Sequence, residues 1–331
     1  MTSFGARAPL VAFVLMAAAC TKSGDARVLD GAGASLPYPL YSKWATEYSG
    51  ARVNYQPLGS GAGVRQVSDG VVDFGATDLP MSDAQLKEAR GELVHVPMTI
   101  GAVVIAFHLD GVKELRLTRE VVNDVFRGTL TKWNDTRLAA ENPGVALPDT
   151  SISVVHRADG SGTSAAFMAY LGDASTRLAG LGVRGNDGVA SYVKNTPNAI
   201  GYMELAYAHK ESLAVALVKN RAGKWVNPDL ASLERAAQGA IAERHIPDDL
   251  RLSIVDADDE GAYPIAALSF LVLPRDARER ARAEALKGFV WWGLHDGHRY
   301  AAELDYAPLP PELVTRAEAV VKSLRAEGKP L

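Results

Sequence analysis

The chain has 331 residues, which favours about two domains over one simple core. Hydrophobic residues make up 47% and charged residues 22%, the balance of a soluble globular protein. The net charge of −4 argues against a nucleic-acid partner, which usually needs a basic face; a small anion stays possible, because backbone dipoles can hold one on a negative protein.

Arg7 is followed by an apolar run from Leu10 to Ala19. Its length suits a signal-peptide core and is too short for a bilayer span. The run ends Ala17-Ala18-Ala19-Cys20, and the chain has 1 cysteine. It can therefore form no internal disulfide and no CxxC zinc site. The arrangement resembles a bacterial lipoprotein signal, although position −3 is Ala17, where Leu is commoner, and Leu15 lies two residues further back. On this reading residues 1–19 are a signal peptide, Cys20 is the lipidated N-terminus that ties the protein to a bilayer, and 20–27 is a polar tether. An ordinary secretory peptide cut near Ala19, or an uncleaved anchor, are the alternatives. Each exports the protein to the periplasm or cell envelope. No later apolar stretch is long enough for a span.

From residue 28 onward, short β-rich runs alternate with amphipathic helices, which predicts an α/β fold. Strands are expected at Arg52–Gln56, Val103–Phe107, Ile152–His156 and Leu268–Leu273. A helix is expected over Thr118–Arg127, with Thr118 as N-cap, Gly128 as stop, and Val121, Val122, Val125 and Phe126 as its apolar stripe. Longer helices are expected at Asp276–Trp292 and Pro311–Leu324. No repeat and no long low-complexity linker interrupts this order, so a second domain can be inserted into the first through extended crossovers.

One local pattern occurs three times. It appears as Asp30-Gly31-Ala32-Gly33-Ala34-Ser35-Leu36-Pro37, as Leu58-Gly59-Ser60-Gly61-Ala62-Gly63, and as Asp159-Gly160-Ser161-Gly162-Thr163-Ser164. Each follows a strand signal and precedes a helix signal. The first N–H groups of a helix lack internal partners, glycine allows close backbone approach, and a Ser or Thr hydroxyl adds a rotatable donor. The helix dipole adds partial positive charge. Each turn is thus fit to cradle an oxyanion; taken singly, each also reads as a plain N-cap.

Arg157 lies at a strand end just before the third turn. Its guanidinium fork matches an oxyanion with two parallel bonds, and Asp159 is placed to hold the fork; a surface ion pair is the alternative. Asp78 follows the buried-looking run Val71-Val72-Asp73-Phe74-Gly75-Ala76-Thr77. It is either a turn or cap residue for a helix starting near Met81, or an acceptor for a proton carried by the ligand. Monohydrogen phosphate carries such a proton, and sulfate does not.

Gly162-Thr163-Ser164-Ala165-Ala166 lacks the last glycine of a nucleophile elbow. His295-Asp296-Gly297-His298 is a poor metal-ligand match, more readily a solvated loop. No cofactor is expected. The absence of a G-x-x-x-x-G-K-[ST] loop assigns any ATP hydrolysis to a partner subunit. These features predict binding without catalysis.

In order, these segments resemble the phosphate-binding protein of bacterial ABC-type phosphate importers, together with Asn54-Tyr55-Gln56, Gly185-Asn186-Asp187-Gly188 and Ala199-Ile200-Gly201-Tyr202-Met203-Glu204. The resemblance runs from about Leu29 to the C-terminal helix. It implies a two-lobed periplasmic-binding-protein-like (type II) fold, with ligand in the interlobe cleft and two crossover strands as hinge. On that pattern 28–103 and 265–331 form lobe I, and 104–264 form lobe II. It implies phosphate contacts from the Ser35 hydroxyl, the Leu36 N–H, the Ser60 hydroxyl and N–H, the Asp78 carboxylate, Arg157, Ser161, Gly162 and Thr163, with Asp159 orienting Arg157. It also implies docking on the transmembrane subunits of an ABC permease, and through them on an ATPase, by a monomeric protein. The chain departs from the pattern in three places. Ser35-Leu36 stands where Thr-Phe is common, which keeps the hydroxyl and the N–H. Gly61 replaces a small residue after Ser60. His156, expected buried and neutral, occupies a position that is often basic. The same fold serving another oxyanion, such as sulfate, molybdate or tungstate, is the alternative that Asp78 argues against.

Overall fold

The structure, a computed structural model, describes residues 28–172 and 177–331. The expected signal peptide, Cys20 and the tether at 20–27 lie outside the described residues.

The first elements alternate: β1 (Val28–Gly33), α1 (Tyr38–Glu47), β2 (Arg52–Gln56), α2 (Ser60–Ser68), β3 (Phe74–Thr77) and α3 (Asp83–Glu88). The three strands pair in parallel with β1 in the middle. Then comes β4 (Leu93–His108), followed by β5 (Arg116–Leu117), α4 (Arg119–Arg127), α5 (Thr136–Glu141), β6 (Ser153–Arg157) and α6 (Gly162–Leu171). The middle of the chain continues with β7 (Leu181–Val183), α7 (Gly185–Asn195), β8 (Ala199–Glu204), α8 (Leu205–Lys210) and β9 (Ala214–Val215). After β10 (Leu217–Lys219), β11 (Trp225–Val226) and α9 (Leu230–Arg244), the chain returns through β12 (Ala266–Pro274) to β13 (Asp276–Ala277), α10 (Arg280–Leu294), α11 (Pro311–Lys322) and β14 (Arg325–Ala326).

The main sheet has the order β2-β1-β3-β12-β4-β8-β6-β7, with β9 also on β4. Strand β4 joins its two halves. Leu93 to Ala102 pair antiparallel with β12, and Val103 to His108 pair antiparallel with β8. At the change of partner, the Val103 N–H donates to the Ile265 carbonyl at 2.9 Å, so both passages of the chain between the halves meet at one point. One apolar core runs through both halves.

The strand expected at Val103–Phe107 is only the end of β4. All residues from Leu93 to Phe107 are buried, so no polar alternation marks the strand, and Pro97 and Gly101 read as interruptions. Ser269 pairs with Thr99 while Phe270 pairs with Pro97. Met98 is thus the extra residue of a bulge, a place where a strand tolerates proline.

Helix α4 is as expected: the Thr118 hydroxyl accepts from the Val121 N–H at 3.3 Å, and Gly128 ends it with φ 75°. The helix expected from Asp276 begins instead at Arg280, because Asp276 and Ala277 pair in parallel with Arg325 and Ala326. Arg251 reaches the Met81 carbonyl at 2.8 Å and the Asp83 carboxylate at 2.7 Å. The segment after α9 therefore straps onto the half of the sheet that contains β1–β3.

Candidate anion-binding site

Turn one joins β1 to α1. Gly33 has φ 145°, and a Cβ there would lie 2.1 Å from the Ala76 carbonyl oxygen, so the strand ends packed hard on β3. Ser35 and Leu36 are buried. Their carbonyls accept from Tyr207 and Tyr306 at 2.8 and 2.7 Å. The cap position of α1 is Pro37, with no side-chain cap, so the Ser35 hydroxyl is not spent on that helix.

Turn two needs Gly59, whose φ is 94° and whose Cβ position lies 2.6 Å from an Asp159 oxygen. Ser60 is the first residue of α2. Its buried hydroxyl accepts from the Asp78 N–H at 3.3 Å and from the Gly162 N–H at 3.1 Å. Gly61 N–H donates to the Gly160 carbonyl at 2.8 Å. Turns two and three are therefore in direct contact.

Turn three opens α6. Ser161 is its N-cap, accepting from the Ser164 N–H at 3.0 Å. The plain cap reading thus holds for Ser161, which keeps its proton free to donate, and fails for Ser35 and Ser60. Gly162 must be glycine: a Cβ would meet Ser60 Oγ at 2.5 Å and an Asp78 carboxylate oxygen at 2.7 Å.

The Arg157 side chain is 1% exposed. Its Nε donates to Asp159 at 2.7 Å, Nη2 donates to the other carboxylate oxygen, and Nη1 donates to Thr163 Oγ1 at 3.4 Å. The surface-pair alternative is excluded by this burial. Asp159 also accepts from the Gly185 N–H at 3.3 Å. Burial pushes the Asp159 carboxyl up, but the Arg157 guanidinium outweighs it and holds the group below the usual range.

Asp78 caps nothing. Helix α3 is capped by Ser82, in a reciprocal pair with Gln85. The buried Asp78 carboxylate accepts from the Ser269 hydroxyl at 2.9 Å, with Ser60 Oγ at 3.5 Å. Burial raises its pKa to about 7, against the opposing pull of Ser269, Arg157 and Ser60.

All eight candidate contacts thus lie at the ends of β1, β3 and β6 and at the starts of α1, α2 and α6. Three neighbours went unassigned in the sequence. Asn186 bonds Ser35 and Thr163; its signal was a fourth glycine-led turn. Ser269 stood as a lone hydroxyl in an apolar strand. Tyr202 accepts from the Arg157 N–H at 3.3 Å and bonds Ser164 Oγ at 2.7 Å, so Ser164 faces a tyrosine and not a histidine base. His156 is half-buried, with Nδ1 at 3.0 Å from the Arg157 carbonyl. His295 and His298 bond the Trp291 and Met98 carbonyls. Among the described residues there is no cluster able to hold a metal, and no helix long and apolar enough to cross a membrane.

Facing helix N-termini around a buried arginine, set where a sheet changes partners, define a solute-binding architecture. The PBP superfamily domain matches residues 21–296. A PstS phosphate-binding protein of Xylella fastidiosa is 40% identical, over 88% of this chain and 84% of its own length. One from Pasteurella multocida is 38% identical over 98% of both chains. The crystal structure of a phosphate-binding protein from Stenotrophomonas maltophilia shares the fold with a TM-score of 0.71, at 20% identity, covering 88% of this chain and 93% of that one. The chain belongs to the PBP superfamily and, within it, to the family of the PstS phosphate-binding proteins.

Proposed function

We propose that the protein captures inorganic phosphate in the cleft between its two lobes and delivers it to an ABC-type import permease. The observation that carries this reading is the placing of one buried acceptor, Asp78, against a ring of donors that includes the buried Arg157. The Ser35, Ser60, Ser161 and Thr163 hydroxyls, the Leu36, Ser60 and Gly162 N–H groups and the Arg157 guanidinium donate to the anion. Asp78 accepts the proton that monohydrogen phosphate carries. A phosphate oxygen takes over the Gly162 N–H that Ser60 Oγ now accepts. Lobe I comprises 28–103 and 265–331 and supplies turns one and two; lobe II comprises 104–264 and supplies turn three. Closure is favoured because only the closed state makes every contact. No bond in the ligand is made or broken, and the protein is not an enzyme.

Export through residues 1–19, anchoring through Cys20 in the periplasm or cell envelope, and action as a monomer complete the proposal. The run Leu10–Cys20 supports the export and anchoring.

Sulfate would bring an acceptor against Asp78 with no proton between them, and buried unpaired polar groups are costly. Sites that depend on one hydrogen can discriminate by roughly 10⁴–10⁵-fold. Calorimetric titration at pH 8 should show tight phosphate binding and negligible sulfate binding. Equal binding of the two would remove the role given to Asp78. Arg157→Ala should weaken phosphate by at least about tenfold, the lower range for a hydrogen bond to a charged group; an unchanged affinity would place the site elsewhere.

A further inference from the structure

Asn186 is fully buried and stands at the second position of α7. The Glu204 N–H, which can only donate, bonds Asn186 Oδ1 at 3.1 Å. That fixes the amide, so its Nδ2 must face the other way. Nδ2 donates to Ser35 Oγ at 3.0 Å and to Thr163 Oγ1 at 3.3 Å. One amide group thus bridges turn one and turn three.

A hydroxyl has one proton and two lone pairs. An oxygen that accepts from Nδ2 cannot also aim its proton at Nδ2. Thr163 Oγ1 accepts from Arg157 Nη1 as well, at 3.4 Å, so both lone pairs are taken and its proton is free only for an acceptor. We propose that Asn186 is a positioning residue that sets the direction of the Ser35 and Thr163 hydroxyls, keeping both as donors toward the anion; this rests on the phosphate reading of the same site. It acts through the two hydroxyls and needs no contact with the ligand.

The local chain explains why an asparagine can stand there. Gly185 has φ 72°, and a Cβ at that position would lie 2.1 Å from an Asp187 oxygen. This left-handed turn aims the Gly185 N–H at Asp159 and the next side chain at the hydroxyls. One turn therefore steadies the counter-ion of Arg157 and orients two donors. An aspartate would match the shape of Asn186 but reverse the bonding. Its carboxylate would accept both hydroxyl protons, turn lone pairs toward the ligand and add negative charge to a site that already holds Asp78.

The test is calorimetric titration with inorganic phosphate at pH 8, using the full protein and Arg157→Ala, Asn186→Asp and Asn186→Ala. Asn186→Ala is also combined with the pair Ser35→Ala and Thr163→Val. Asn186→Asp should weaken phosphate by about 100-fold or more, and Asn186→Ala by about tenfold. With both hydroxyls already removed, Asn186→Ala should cost less than about twofold further, since coupled groups are non-additive. A residue that merely props the fold would cost the same in both backgrounds, and that result overturns the proposal. So does Asn186→Asp binding within about twofold of the unaltered protein. Thermal unfolding without phosphate reports whether each variant folds; if the aspartate variant does not, the alanine cycle decides. Phosphate binding that is absent, or indifferent to Arg157→Ala, overturns the functional reading itself. Binding that needs Arg157 and ignores Asn186 overturns only the positioning role.

Discussion

The Gly162 N–H donates to Ser60 Oγ at 3.1 Å, although 102 residues separate the two. Each belongs to the start of a different helix, and each helix belongs to a different half of the sheet. The two jaws touch through an N–H and a hydroxyl, each of which can donate to a phosphate oxygen. Substituting either residue therefore tests the contact and the site together.

Gly162→Ala puts a Cβ within 2.7 Å of both Ser60 Oγ and Asp78. The clash lies between jaws rather than inside one, so it is relieved by holding them apart. We expect phosphate affinity to fall by more than about tenfold, while the melting temperature without phosphate changes little. Titration paired with thermal unfolding checks this; a large loss of stability would mean the jaws cannot part.

Asp78 titrates near pH 7 because burial outweighs its hydrogen bonds and Arg157. Below that pH it carries its own proton and can donate to a fully deprotonated dianion. Sulfate binding should therefore be negligible at pH 8 and rise as pH falls toward 5. Sulfate titration across that range checks it, and a flat profile would contradict the protonation assigned to Asp78.

The same shift has a consequence for stability. Its folded pKa of about 7 lies above the ordinary aspartate value of 3.8. Between those values the folded state holds a proton that the unfolded chain lacks, so stability falls as pH rises through the window. The contribution is complete below about pH 4 and lost above about pH 7. Asp78→Asn abolishes this slope: without phosphate, the variant should gain melting temperature over the unaltered protein at pH 8 and gain least at pH 4.

Gly63→Ala makes a contrasting case. Its Cβ would lie 2.5 Å from the Ala32 carbonyl oxygen and 2.8 Å from that of Ala76. These are strand backbone atoms of one half of the sheet, with no hinge to give way. A loss of roughly 2 kcal/mol is expected, as for overpacked cores, visible in denaturant unfolding.

Arg157→Lys keeps a positive charge but loses the planar fork that meets both oxygens of Asp159. An ammonium cannot bond that carboxylate twice and reach Thr163 as well. Phosphate binding should drop by at least about tenfold, and a lysine variant with unaltered affinity would show that charge alone suffices.

The parts of the site that were legible in the sequence are local. Glycine beside a hydroxyl, after a strand and before a helix, marks turns one to three because such a turn has few other solutions. What a hydroxyl then bonds is not local. Ser161 serves its own helix, while Ser60 faces Gly162 and Asp78. The length of β4 was hidden by burial on both faces, which erases the two-residue period, and by a bulge at Met98 that admits Pro97. The start of α10 was misplaced because Asp276 and Ala277 pair with a strand some fifty residues on, which no window of local propensity contains. Ser269 and Asn186 meet the site only through the return of β12 and the turn before α7. The ordered set of segments conveyed the overall architecture, which no single turn could.

Strand β4 carries hydrogen-bonded neighbours from both halves along one unbroken backbone, and Ile265 bonds it where the partners change. We expect relative movement of the halves to pivot near Val103, where β4 changes partners. Spectroscopic probes on Leu58 and Leu181, both exposed, one in each half, would report such movement as a change in separation. A pair flanking Val103 would register almost none, and would serve as the stationary reference on the same molecule.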